Sequence, residues 1–140
     1  MRDKISFFKR AARFAKNRIV DESGQDSDYG LFFASILNMI EAKTCVEIGV
    51  QTGKTTELMC EAMSDGHVYG FDNWGEHGLI NQFKTQPYSM KDVEDRLHKA
   101  ELNNFTLTKV DTINDRLNFE KKLDVLLDKN KIDFAFIDVD

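Results

Sequence analysis

The 140-residue sequence predicts an α/β protein: a parallel sheet with helices on both faces. Three observations carry the prediction. From residue 44 onward, short apolar runs of strand character alternate with longer stretches of helical period. A turn bounded by glycines, Gly49-Val-Gln-Thr-Gly53, joins the first such run to a helix. Each of the four strand-like runs also has a carboxylate at its C-terminal end: Glu47, Asp72, Asp111 and Asp138. In open parallel sheets ligands bind beyond those ends, so an acidic residue at every one of them marks the edge as a candidate site.

The elements follow in order. Residues 4–19 read as a basic amphipathic helix, with Ile5, Phe8, Ala12, Ala15 and Ile19 on one face and Lys9, Arg10, Arg13 and Lys16 largely away from it. Packing on the domain or on a partner chain is the plain reading of such a helix. An anionic membrane surface and a transit peptide are the alternatives. Residues 21–28 form a polar break. A second helix is predicted over about 29–42, capped by Ser27 or Asp28, with Leu31, Phe32, Ile36, Met39 and Ile40 on its apolar face. Thr44–Gly49 is the first strand and its turn, Thr55–Met63 a helix, and Gly66–Asp72 the second strand. Residues 73–90 are a long irregular segment holding Trp74, His77, Phe83, Pro87 and Tyr88, long enough to serve as a lid. Ser89 and Asp92 are spaced as a capping box for a helix running to about Leu102. Asn103-Asn104 is a turn, Phe105–Val110 the third strand, and 114–129 a helix with Leu117, Leu123, Val125, Leu126 and Leu127 on its apolar side. Ile132–Ile137 is the fourth strand.

Composition excludes several classes. No run approaches the ~20 apolar residues of a membrane-spanning helix. Residues 1–20 carry seven basic groups and one acidic, while the other 120 carry twelve basic and twenty-three acidic, so the main body is anionic. No nucleic-acid partner is expected of it, since that surface would need clustered cations. Two cysteines, Cys45 and Cys60, exclude a disulfide scaffold and a Cys-rich zinc module, and they fit reduced thiols in a cytoplasmic protein. The histidines read as structural or solvated, His77 included.

The turn after the first strand can be tested against three templates. A dinucleotide fingerprint needs three glycines spaced G-x-G-x-x-G, and this segment has two, four apart. A P-loop needs four residues between its glycines; Gly49–Thr55 is one short, although Asp138 at the end of an apolar strand suits the magnesium-binding Asp of that class. The third template is acidic-x-Gly-x-x-x-Gly, and Glu47-Ile-Gly49-Val-Gln-Thr-Gly53 fits it.

On these residues the segment from about 29 to 140 resembles the class I S-adenosylmethionine-dependent methyltransferases, in particular the branch acting on hydroxyl groups of small molecules. The resemblance implies a Rossmann-like sheet of strand order 3-2-1-4, preceded by N-terminal helices, and a division into an N-terminal helix at 1–20 and a cofactor-binding domain at 28–140. It implies S-adenosylmethionine as cofactor. Glu47, Ile48, Gly49, Gly53 and Thr55 would surround its amino-acid part, and Asp72 its ribose hydroxyls. Asn73 and Trp74 would lie near the ribose or adenine, and Asp111 or Thr112 beside adenine. Asp138 and Asp140 match the acidic pair of an Ile-Asp-Gly-Asp-His motif, with Val139 in place of Gly. Asp138, counted among the cofactor-binding residues as well, is the candidate to orient or deprotonate a small-molecule methyl acceptor, and no bound metal is predicted. Members of the class carry seven strands; only four are found here. The chain is therefore expected to be an N-terminal piece of a larger domain, or a short form completed by association, for instance a homo-oligomer covering the edge of the fourth strand. The competing readings are a P-loop-like nucleotide-binding protein and a non-catalytic partner subunit.

Overall fold

A computed structural model describes residues 27–74, 89–129 and 131–138. The helix expected over 4–19, the segment 75–88 with His77, Phe83, Pro87 and Tyr88, and Val139 and Asp140 lie outside the described residues, as do the side chains of residues 27–31. The described elements are α1 (Ser27–Met39), β1 (Thr44–Ile48), α2 (Lys54–Ala62), β2 (His67–Asp72), α3 (Met90–Lys99), β3 (Phe105–Lys109), α4 (Arg116–Lys129) and β4 (Phe134–Ile137). The strands pair in parallel in the order β3-β2-β1-β4, as expected. Ile48 lies opposite both Phe71 and Ile137, and Asp72 opposite Lys109, so the strand ends line up along one edge.

Strand alternation sorts the core onto two faces. Cys45 and Val68 point toward α1 and α2, where they pack with Leu37, Met59, Cys60 and Met63. Leu107 meets Val50, Trp74, Val93 and Leu97, the last two from α3. Val46 and Phe71 point the other way, toward α4, and bury Leu126 with Phe119 and Leu123 beside it. Three helices therefore cover one face and α4 the other. At β4, Phe33 of α1 packs its ring 4.6 Å from Phe136 and 5.9 Å from Phe134. Asp133, just before β4, accepts from the backbone N–H groups of Lys43 (2.8 Å) and Thr44 (3.2 Å), tying the entry of β4 to the start of β1. Those two bonds hold its carboxyl below the usual carboxylate range.

The structure departs from the sequence expectations in three places. Helix α1 already includes Ser27 and Asp28, the residues expected to cap it. Helices α1 and α3 stop short of the expected Ala42 and Leu102 because each ends in a left-handed residue that is not glycine. Glu41 (φ 52°) and Glu101 (φ 61°) occupy those positions. Glu41 N–H bonds Asn38 O and Ala42 N–H bonds Leu37 O; Glu101 N–H bonds His98 O and Leu102 N–H bonds Leu97 O. Each is a Schellman ending, which satisfies the last carbonyls and turns the chain back. Third, α4 presents a narrower apolar stripe than its leucine content implies. Phe119, Leu123 and Leu126, spaced four and three apart, face the sheet. Leu117, Val125 and Leu127 lie off that stripe and are exposed. No described helix is long and apolar enough to cross a membrane.

Candidate functional site

The candidate site is built on the turn between β1 and α2. Gly49 (φ 91°), Gln51 (φ 52°) and Gly53 (φ 73°) all adopt left-handed backbone. Only glycine does so without steric cost, which accounts for two of the three. At Gly53 a side chain is excluded twice over, since a Cβ there would lie 2.3 Å from Val93 Cγ1 of α3. Gly53 N–H closes the turn onto Val50 O (2.8 Å), and Gly49 N–H continues the β1–β2 ladder to Phe71 O (2.9 Å). The turn thus starts as sheet and ends as the N-terminus of a helix.

Asp72, at the end of β2, fastens this turn from the side. Its Oδ2 accepts from Gln51 N–H (2.7 Å) and its Oδ1 from Trp74 N–H (2.6 Å). Trp74 then returns the connection, donating its indole N–H to Gln51 O (3.2 Å). Gln51, a non-glycine residue in left-handed backbone, is therefore held at both its N–H and its carbonyl. Each Asp72 oxygen keeps a further lone pair, so the carboxylate can still accept a pair of hydroxyls.

Glu47 sits on the same sheet face as Asp72, one step earlier along β1, beneath α2. It is 1% exposed, and Thr56, itself fully buried, donates its hydroxyl to Glu47 Oε2. Burial pushes the Glu47 carboxyl up to about 8; the negative charges of Asp72 and Asp138 push the same way, and the Thr56 hydrogen bond pulls against them. Asp138 extends β4 by one residue, its N–H bonding Ile48 O (2.8 Å), and its side chain is exposed. Glu47, Asp72 and Asp138 thus converge electrostatically at the edge where β1, β2 and β4 end.

The remaining sequence-derived candidates divide. Ile48 turns its side chain into the core beside α4, leaving only its backbone at the edge. Thr55 is half-buried in the first turn of α2, and Asn73 is half-buried after β2. The Trp74 ring is buried with Val50, Val93, Leu97 and Leu107 and is part of the core, so its backbone and indole N–H, not an exposed ring face, serve the turn. Asp111 organises its own loop: Oδ1 accepts from Ile113 N–H (3.0 Å) and Asn114 N–H (2.7 Å), and Oδ2 from the Asn114 amide (2.8 Å). Thr112 beside it is half-buried. Among the described residues no three His, Cys, Asp or Glu side chains cluster as a metal-ligand set. Two residues of the site escaped the sequence reading, Thr56 and Gln51. Folding α2 back over β1 brings its inward first-turn residue over the inward strand residue, and that signal would have paired Thr56 with Glu47.

A parallel sheet of order β3-β2-β1-β4, with a glycine turn after β1 and an acidic residue at the end of β2, defines a Rossmann-like fold. A family model described as a methyltransferase domain matches residues 46–140, and the chain belongs to that family. Three solved structures share the fold. One is described as a candidate O-methyltransferase from Klebsiella pneumoniae, with a TM-score of 0.63 and 19% identity over 96% of this chain and 53% of that one. The O-methyltransferase from Bacillus cereus in complex with SAH gives a TM-score of 0.58 and 17% identity over 100% of this chain and 57% of that one. TomG from Streptomyces achromogenes, an O-methyltransferase involved in tomaymycin synthesis and in complex with SAM, gives 0.56 and 16% over 99% and 55%. At such identities the likeness is one of fold. The chain spans about half the length of these structures. A search of curated proteins finds no match.

Proposed function

We propose that the chain is the cofactor-binding part of an S-adenosylmethionine-dependent methyltransferase that acts on a small-molecule acceptor through a hydroxyl group. The observation that carries this reading is the Asp72 carboxylate, locked to the glycine turn through Gln51 N–H and still able to accept from a diol. The donor set fits the cofactor: carboxylates for an ammonium group and two hydroxyls, and glycines for close backbone approach. When bound, the cofactor supplies a methyl group on a cationic sulfur. Glu47 receives the ammonium group, directly or through water, and the backbone of Ile48, Gly49 and Gly53 with Thr55 lines the amino-acid part. Asp72 holds the ribose hydroxyls. Asn73 and the Trp74 backbone border the ribose, and Thr112 with the Asp111 loop borders adenine. Asp138, exposed at the edge, orients the acceptor or takes its proton, which in-line transfer to oxygen requires. Two buried free thiols fit a reducing, cytoplasmic setting.

Calorimetric titration with S-adenosylhomocysteine and with Mg-ATP tests the reading against its P-loop alternative. Binding of S-adenosylhomocysteine is expected, weakened by ~1–3 kcal/mol in Asp72→Ala through the lost hydroxyl bonds. Binding of ATP alone would overturn it. A non-catalytic partner subunit is separated by its cofactor-independent association with the second chain.

A further inference from the structure

Glu47 is the most confined of the three edge carboxylates, and its surroundings are one-sided. The titratable and charged groups that face it are Asp72 at the end of β2, Asp138 after β4, and the thiols of Cys45 on β1 and Cys60 on α2. None of these favours a negative charge at Glu47. Among the described residues a single group does so, the Thr56 hydroxyl, which donates to Oε2 from the first turn of α2. Thr56 is completely buried, so its hydroxyl has no water to compete for the bond.

We propose that Thr56 is a positioning residue of the cofactor site: its hydroxyl holds the Glu47 carboxylate in place to receive the cofactor's ammonium group. The inference rests on the cofactor reading above. Thr56 and the ligand ammonium act on Glu47 in the same direction, since both stabilise the ionised form against burial and against Asp72 and Asp138. The hydroxyl fixes one carboxylate oxygen, Oε2. Thr56 therefore sets how much of the protein carries an ionised Glu47 before ligand arrives. Its neighbour Thr55, which the turn pattern singles out, makes no comparable bond among the described residues.

Two variants separate the hydroxyl from its packing. Thr56→Val keeps the shape and removes the hydroxyl; Thr56→Ser keeps the hydroxyl. Affinity for S-adenosylhomocysteine, which carries the same ammonium group without the sulfonium, is measured by calorimetry across pH. In Thr56→Val it is expected to fall roughly tenfold at neutral pH. Its rise with pH is expected to shift upward, because Glu47 ionises later. Thr56→Ser should bind like the wild type, with the same pH profile. A carbon-detected NMR titration of Glu47 in the ligand-free protein reads the same coupling without any cofactor and should show its midpoint moving up in Thr56→Val. Thr56→Ala carries the same expectations should Thr56→Val not fold. An unmoved Glu47 midpoint overturns the proposal whatever the ligand does. Equal losses in the Ser and Val variants overturn it too, because packing would then be the cause. If the wild type binds no S-adenosylhomocysteine while Glu47 still responds to Thr56, the cofactor reading is what fails, and the positioning role falls with it.

Discussion

At the scale of single residues, Glu47 stands out because burial works against its charge. Its carboxyl, raised to about 8 in the folded chain, titrates near the ordinary carboxylate value of 4.5 when unfolded. Between those values the folded state binds the extra proton, so stability is full below about pH 4.5 and declines as pH rises toward about 8. The decline is at most about 1.4 kcal/mol per pH unit. Glu47→Gln mimics the protonated form and keeps an oxygen for the Thr56 hydroxyl. It should melt with the wild type near pH 5 and above it near pH 8.5, while losing affinity for an ammonium-bearing ligand. Thermal melts across that range check the sign, and a wild type whose melting point does not fall with pH would count against a protonated Glu47. The positions of Glu47 and Asp72 at the ends of two strands of a parallel sheet revealed that they belong to one edge. Those positions did not reveal that Glu47 is buried beneath α2, or that the Trp74 ring is core. Burial of a polar side chain depends on which helix folds over it, and local pattern does not carry that information.

Among the elements, α3 is the one whose start the sequence specified most completely. Ser89 Oγ accepts from Asp92 N–H (3.1 Å), and Asp92 Oδ2 accepts from Ser89 N–H (2.8 Å) and Ser89 Oγ (2.7 Å), the reciprocal box expected from the spacing. The cap matters beyond α3, because Val93 of this helix contacts Gly53 and its Arg96 pairs with Glu57 of α2 at 2.7 Å. Ser89→Ala should therefore cost about 1 kcal/mol of stability, with Ser89→Thr close to wild type; denaturant titration reads both. Fraying at the start of α3 should also appear as faster amide exchange through Val93. The ends of α1 and α3 were less legible than the start of α3. Capping side chains announce a start, whereas Glu41 and Glu101 take the left-handed role usually given to glycine and leave no compositional mark. The apolar side of α4 was over-read for a related reason. A helix crossing one sheet buries one stripe, and Phe119-Leu123-Leu126 fills it, so Leu117, Val125 and Leu127 remain outside.

For the molecule as a whole, the parallel sheet and its two-faced packing followed from alternation of elements, because few other arrangements bury short apolar strands joined by helices, whereas the strand order followed from the methyltransferase resemblance. In this sheet β1 is an interior strand, bonded to β2 on one side and β4 on the other. Both free cysteines lie against it. Cys45, on β1, donates to Met63 Sδ at 3.2 Å, and Cys60, on α2, to Asn104 O at 3.7 Å, with neither more than 1% exposed. Asn104 also donates to the carbonyls of Cys60 and Met63, so the turn before β3 locks the end of α2. Reaching either thiol requires displacing α1 or α2 from β1, and movement of α2 also opens the Glu47–Thr56 contact and the glycine turn. Reactivity needs the thiolate, and burial pushes the Cys45 thiol up to about 12 and that of Cys60 also upward. Alkylation under native conditions is therefore expected to proceed only through the global opening, with Cys45 and Cys60 modified at one common rate at least ~1,000-fold slower than in denaturant. S-adenosylhomocysteine at saturation should slow both thiols equally, since a ligand that holds the turn closed acts on the same opening. Mass spectrometry resolved by peptide distinguishes the outcomes. Fast labelling of Cys60 alone would mean that α2 detaches from an intact sheet, and a ligand effect on one thiol but not the other would place the cofactor turn outside the cooperative core.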